Sequence, residues 1–164
     1  MKPPQIRKQG FRIWVENFTE GVEEIKDAGL KNEVYICNCK NTGFRIGTKC
    51  KTVIVDSCMK VQCEIEEVLT SVDMINSKRC TLYLKKKVPT LNIDKCAGPR
   101  VVLFQEVLDN QPQIITSMTS DMNVSVPGAT ENDDMKDVPI PYQFITTVDP
   151  NTKAVSTVPM SHMG

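Results

Sequence analysis

A step of nineteen residues runs through the middle of this chain and leaves few folds open to it. Val34, Val53, Val72 and Leu91 lie 19 apart, and Ile36, Val55, Met74 and Ile93 repeat the step two residues on. Phe44, Cys63, Leu82 and Val101 do the same, as do Ile46, Ile65, Leu84 and Leu103, and a fifth column holds Cys50, Leu69, Val88 and Val107. Only 40% of the residues are apolar, so five unbroken columns are not the product of chance. The pairs spaced by two mark strands that bury one face. Between them lie turn formers such as Asn41-Thr42-Gly43, Asp56-Ser57, Asn76-Ser77 and Lys95-Cys96-Ala97-Gly98-Pro99. No repeat carries a ten-residue helical pattern. Short strands that recur at a fixed period, in repeats too small to bury their own faces, stack into a solenoid. The prediction is an all-β parallel β-helix. Leucine-rich repeats share the scale but need a Leu-x-x-Leu-x-Leu-x-x-Asn pattern, and a left-handed hexapeptide helix needs a six-residue subperiod; neither is present.

The pattern continues faintly outward. Val15 and Ile25 fit an earlier coil, with Trp14 expected as a cap over its open end, and Ile114, Val124 and Val126 fit a later coil after an insertion of four residues. That makes about six coils. The column Cys39, Cys58, Ser77 and Cys96 reads as small side chains stacked inside a corner, at the ~4.8 Å strand spacing. Thiols that close also admit a disulfide under oxidation. A metal site is not expected, because Cys37-x-Cys39 has no Cys-x-x-Cys partner and the sole histidine, His162, is far away in sequence.

The 20 basic and 20 acidic side chains cancel, which argues against a general nucleic-acid binder. No apolar stretch approaches the ~20 residues of a membrane-spanning helix, and Met-Lys-Pro-Pro does not begin a signal peptide. The expectation is a soluble cytoplasmic protein with its seven cysteines reduced. The domain reading is a coil stack over 11–127, an acidic, proline-containing linker over 128–141, and a C-terminal hairpin over 142–164. The runs Phe144–Val148 and Ala154–Val158 flank Asp149-Pro150-Asn151-Thr152, a type I turn signal. A lone hairpin is marginal in water, and the end strands of a solenoid need cover. Hairpins swapped between two copies of the chain satisfy both needs, through Phe144, Ile145, Val148, Val155 and Val158, and a homodimer is expected.

Several segments carry a family resemblance. Trp14-Val15-Glu16-Asn17, Val34-Tyr35-Ile36-Cys37-Asn38-Cys39-Lys40-Asn41-Thr42, Thr52–Cys58, Lys87–Ile93, Ser120–Val124, Pro139–Phe144 and the closing Gly164 resemble the C-terminal domain of cyclase-associated proteins. The match keeps its order from about residue 11 to the end, and no single short motif carries it. The resemblance implies a right-handed β-helix dimerised by exchanged hairpins, which binds monomeric actin, prefers its ADP form, and speeds exchange of ADP for ATP. Such a factor does no covalent chemistry and needs no cofactor. The family's oligomerising, helical, proline-rich and actin-binding helix regions have no counterpart in this sequence.

Two surface features suit such a partner. Lys40, Lys78 and Arg79 fall near Asn38, Asn76 and Lys95 on one corner of the stack, while Tyr35, Ile54 and Asp56 lie on the outer side of the first strands. An apolar centre with a polar rim is the usual anatomy of an interface, and the cations would steer an acidic partner. Lys85-Lys86-Lys87 reads as ordinary solvated charge. Asp56, Asp73 and Asp94 sit at shifted positions among aliphatic residues, unlike the clustered carboxylates of polysaccharide-cleaving β-helices, so no enzyme is expected. The related tubulin-cofactor C domain needs Gln-x-Arg-x-His, absent here. A structural dimerisation or scaffold module is the remaining alternative.

Overall fold

The computed structural model describes residues 2–130 and 132–160, and it is a solenoid of about six coils built almost wholly from strands. Each coil contributes one strand to each of two faces. On the first face lie β2 (Arg12–Glu16), β4 (Glu33–Cys37), the second halves of β5 (Gly43–Asp56) and β6 (Gln62–Ile75), β8 (Thr90–Asp94) and β10 (Gln113–Ser117). On the second lie β3 (Val22–Glu24), the first halves of β5 and β6, β7 (Thr81–Lys87), β9 (Arg100–Leu103) and β11 (Asn123–Val126). All of these pairings are parallel. Register confirms the repeat: Val34 pairs with Val53, Val53 with Val72, and Val72 with Leu91. Ile114 then pairs with Leu91, because the four-residue insertion forms the short helix α1 (Gln105–Asp109).

The inward columns form one continuous core, with Val34, Val53, Val72, Leu82, Leu84 and Leu91 inaccessible to water. The fifth column differs at one place. Leu69 is exposed at 44%, and Val68 is buried in its stead. Register shifts between Ile46 and Lys49 and between Cys50 and Thr52 bring Cys50 opposite Val68. A bulge inserts one residue and turns the next side chain to the other face.

The corner joining the first face to the second uses two left-handed residues three apart. Asn38, Ser57, Asn76, Lys95 and Met118 have φ of +48° to +55°, and Asn41, Lys60, Arg79, Gly98 and Asp121 of +51° to +66°. Single parallel bridges, Lys40 to Met59 to Lys78 to Ala97 to Ser120, stitch the corners together. The small inward residue after the first left-handed position hydrogen-bonds the carbonyl two residues back. Cys39 donates to Cys37 O at 3.3 Å, Cys58 to Asp56 O at 3.3 Å, Ser77 to Ile75 O at 2.8 Å and Cys96 to Asp94 O at 3.3 Å. Each of these carbonyls also accepts a backbone amide from the preceding coil, those of Asn17, Asn38, Ser57 and Asn76, so the corner column adds a second, local bond at the point where the chain turns. All seven cysteines are buried free thiols. Burial pushes Cys50 up to about 11 and raises Cys63 as well, whereas Cys58 is raised first by its hydrogen bond with Cys39 and then by burial.

Both ends are covered on one face only. β1 (Gln5–Gln9) runs antiparallel to β2, and β12 (Lys136–Pro139) runs antiparallel to β11. The cap at the N-terminal end is thus β1. Trp14, expected to close that end, lies instead on the outer side of the first face, because its strand neighbours Ile13 and Val15 point inward. The segment 128–141, read from its acids and prolines as a linker, contains β12. Two stretches remain open among the described residues: β10 pairs only with β8, and β3 only with β5. The hairpin β13 (Phe144–Val148) and β14 (Val155–Pro159) forms a separate two-stranded sheet exposed throughout. Its turn is held by Asp149, whose carboxylate accepts from the amides of Asn151 and Thr152 at 2.8 and 3.0 Å. His162 and Gly164 lie outside the described residues.

Candidate functional site

The left-handed corners carry the candidate site, since a residue in that conformation projects its side chain away from the stack. Asn38, Asn76 and Lys95 occupy one such column, Arg79 the next, and Lys40 and Lys78 the bridged position between them. These six residues therefore share one edge, as their spacing implied. All are exposed. Two residues belong with them that sequence reasoning missed. Lys60 stacks between Asn41 and Arg79 in the second left-handed column, and Met59 sits between Lys40 and Lys78. The signal was present, because Asn41, Lys60, Arg79 and Gly98 are also 19 apart. Lys40, Lys60, Lys78, Arg79 and Lys95 form no ion pair among the described residues. The cations of the second face do: Arg45 with Glu64 at 2.9 Å, Lys85 with Glu64 at 3.0 Å, Lys49 with Glu67 at 2.9 Å and Lys86 with Glu66 at 3.3 Å. Two of the three consecutive lysines at 85–87 are thus locally neutralised. The corner's charge is uncompensated.

The first strands run directly into this edge, so their outer face adjoins it. Tyr35 and Ile54 pair in register there, and Asp56 lies two residues beyond Ile54, beside the corner residue Ser57. All three are partly buried. The Tyr35 hydroxyl donates to the Asp56 carboxylate, and Ser57 Oγ donates to its other oxygen at 2.9 Å. Hydrogen bonding to Asp56, helped by burial, raises the Tyr35 phenol to about 12. Trp14 packs against Tyr35 with ring centroids 5.0 Å apart and planes tilted by 54°, and the Arg12 guanidinium lies 5.0 Å from the first ring and 4.6 Å from the second. Arg7 lies 4.8 Å from Trp14 and 3.0 Å from Glu16. Further along, Asn92 Nδ2 donates to Asp73 at 2.7 Å. The face is a fixed platform, aromatic at one end and polar at the other, whose side chains hold one another in place. Preorganised groups of this kind lose little conformational freedom on binding.

The hairpin residues divide between two surfaces. Cross-strand pairing puts Phe144, Val148 and Val155 on one face and Ile145 and Val158 on the other. All five are between 47% and 66% exposed, so the hairpin is apolar on both sides with neither side covered. No group of three or more histidine, cysteine or acidic side chains is placed to hold a metal ion among the described residues. No helix among them is long and apolar enough to cross a membrane.

Comparison with known proteins matches this arrangement to one family. The family model described as "Adenylate cyclase associated (CAP) C terminal" fits residues 2–162. Adenylyl cyclase-associated protein 1 of Homo sapiens is 35% identical over 159 residues, covering 96% of this chain and 32% of that protein. The adenylyl cyclase-associated protein of Dictyostelium discoideum is 33% identical over 151 residues, covering 92% of this chain and 32% of that protein. The chain thus spans about a third of the relatives it matches. Among solved structures, the cyclase-associated protein of Cryptosporidium parvum superposes with a TM-score of 0.86 over 98% of this chain and 97% of that one, at 22% identity.

Proposed function

The chain belongs to the family of cyclase-associated protein C-terminal domains, and from that premise we propose that it binds monomeric actin, prefers the ADP-bound form, and promotes exchange of ADP for ATP. The observation that carries the reading is the uncompensated basic corner beside a preorganised outer face. Lys40, Lys60, Lys78, Arg79 and Lys95 supply long-range attraction for an acidic globular partner, and Tyr35, Ile54 and Asp56 supply the contact area. The protein acts by binding and not as an enzyme. Bound to actin whose nucleotide cleft is open more tightly than to actin whose cleft is closed, it shifts the population toward the open state, and nucleotide leaves faster. A hundredfold preference corresponds to about 2.7 kcal/mol, within the reach of a few buried contacts. This activity places it in the cytoplasm, with the cytoskeleton.

The same reading includes a homodimer built by the hairpins. Support comes from the two-sided apolar exposure of β13 and β14, and from the character of the open edge at β10. β1 carries Arg7 and Lys8, β3 carries Glu23 and Glu24, and β12 carries Lys136, Asp137 and Pro139, all devices that discourage strand addition. β10, Gln-Ile-Ile-Thr-Ser, has none of them, and Ile115 is 47% exposed. A partner's hairpin would cover it.

The exchange reading is tested by mixing the protein with actin loaded with a fluorescent ADP analogue. Faster release with added protein supports it. Unchanged release across a wide concentration range refutes it, and leaves a dimerising scaffold in its place.

A further inference from the structure

The N-terminal end of the solenoid is stepped, and neither the actin reading nor the hairpin dimer uses the step. On the first face β1 adds a strand beyond β2, whereas on the second face no strand among the described residues lies beyond β3. The first face therefore overhangs the second by one strand spacing, about 4.8 Å. The outer edges of β1 and β3 both lack a strand partner among the described residues.

Register shows which side chains line the step. Ile6 pairs with Val15 and Lys8 with Ile13, both buried, so Ile6 and Lys8 lie on the inner side of β1. Glu23 pairs with the buried Phe44 and lies on the inner side of β3. Under the overhang is a hollow of about 360 Å³, lined by Ile13 and Ile25 of the core, by Ile6 and Lys8, and by residues 24–27. The end of the core is thinly covered there, since Ile6 is 44% and Val22 67% exposed. The two sides of the step differ in charge. Residues 2–9 hold Lys2, Arg7 and Lys8 and no acid, while residues 20–27 hold Glu20, Glu23, Glu24 and Asp27 against Lys26 alone. Of these only Arg7 is ion-paired among the described residues, with Glu16. A basic strand edge thus overhangs an acidic one. Such charges keep like edges apart, β1 from β1 and β3 from β3, but the unlike edges attract.

We propose that this end docks onto the same end of a second copy of the chain. A two-fold axis running along the strands, midway between the faces, lays β1 of each copy in the vacant place beside β3 of the other. Two steps of equal height then interlock. Ile6 of both copies closes over a core that has become continuous, and Lys8 of each copy comes beside Glu23 of the other. The contact is isologous, so every interaction is made twice. β3 offers only three residues, which keeps each strand pair short and the association weak. Combined with hairpins exchanged at the opposite end, the contact would link dimers into longer chains. The proposal depends neither on the partner at the corner nor on the hairpins.

The test follows the mass of the full chain by sedimentation equilibrium from micromolar to millimolar concentration. The mass is expected to rise with concentration above the size that the hairpins set, and to rise less as salt is added. Lys8→Glu and Glu23→Lys each bring like charges together and are expected to weaken this association about tenfold, with the melting temperature followed alongside. An equimolar mixture of the two variants restores opposite charges at both strand pairs, and is expected to associate as the unaltered chain does. Ile6→Asp replaces Glu23→Lys if that variant does not fold, and is expected to abolish the rise. A mass independent of concentration, folded variants that associate as well as the unaltered chain, or a mixture no better than its parts would overturn the proposal.

Discussion

The basic corner sets up an unusual opposition between stability and binding, and the triple variant Lys60→Asn, Arg79→Asn, Lys95→Asn exposes it. All three residues have φ of +54°. An ordinary side chain in that region costs about 1–2 kcal/mol, whereas asparagine visits it readily and occupies equivalent corners at positions 38, 41 and 76. Relief of part of that cost at three sites stabilises the coil stack by roughly 1–2 kcal/mol. For a chain of this size each kcal/mol moves Tm by about 2–4 °C, so the variant is expected to melt roughly 2–8 °C higher. Binding moves the other way. Each exposed rim charge is worth about 0.3–1 kcal/mol, which for three cations is a loss of about 5-fold to 150-fold in affinity for actin monomers, concentrated in the association rate. Thermal unfolding by circular dichroism reads the first effect, and stopped-flow mixing with labelled ADP-actin at low and at physiological salt reads the second. A falling Tm would mean that these side chains pack or pair and are not strained. Unchanged association, with an unchanged salt slope, would refute the corner as the steering surface.

Other perturbations probe separate parts of the molecule. In an alkaline absorbance titration, one tyrosine is expected to ionise near pH 12, and Tyr35→Phe should abolish that step. Because the folded phenol is raised above its ordinary value of 10.0, the stabilisation from its contact with Asp56 is complete below that pH and is lost as pH rises toward 12. Deleting residues 142–164 is expected to convert a dimer into a monomer or an aggregate by light scattering, while the strand spectrum of the coils persists; an intact dimer would exclude the hairpin as its basis. The seven thiols should react with a disulfide reagent only after denaturation, since all are buried out of the reagent's reach; six are also held above the ordinary thiol range, and only Cys39 is lowered, by its hydrogen bond with Cys58. Leu84→Ala, at the inaccessible centre of the core, should cost about 2–5 kcal/mol in denaturant unfolding.

What the sequence made legible was the part of the fold that repeats. The inward columns are read twice over, once as strands of period two and once as coils of period 19, and each reading corrects errors in the other. The fifth column fails at Leu69 because a bulge changes register without any change in composition, and Val68 and Leu69 are equally apolar neighbours. The capping strands escape detection for another reason. β1 and β12 carry Arg7, Lys8, Asp137 and Pro139, residues that protect an exposed edge, and the same residues make a strand look like a loop. The large apolar ring of Trp14 suggests a plug, whereas the alternation around it, with Ile13 and Val15 inward, already aims it outward. At the candidate site, spacing alone groups Lys40, Lys78, Arg79 and Lys95. It could not report that they lack acidic partners while Arg45 and Lys85 have them, since ion pairing across coils depends on rotamers.

The stitched corners carry one last implication for recognition. Equivalent positions on that edge, such as 40, 59 and 78, are separated by whole strand spacings of about 4.8 Å, because every coil hydrogen-bonds its neighbour in register. The ruler can be lengthened, shortened or relabelled mark by mark, but its graduations cannot slide. A partner that reads this edge must therefore match a fixed pitch, and adaptation between the two surfaces proceeds by exchanging side chains at set rungs.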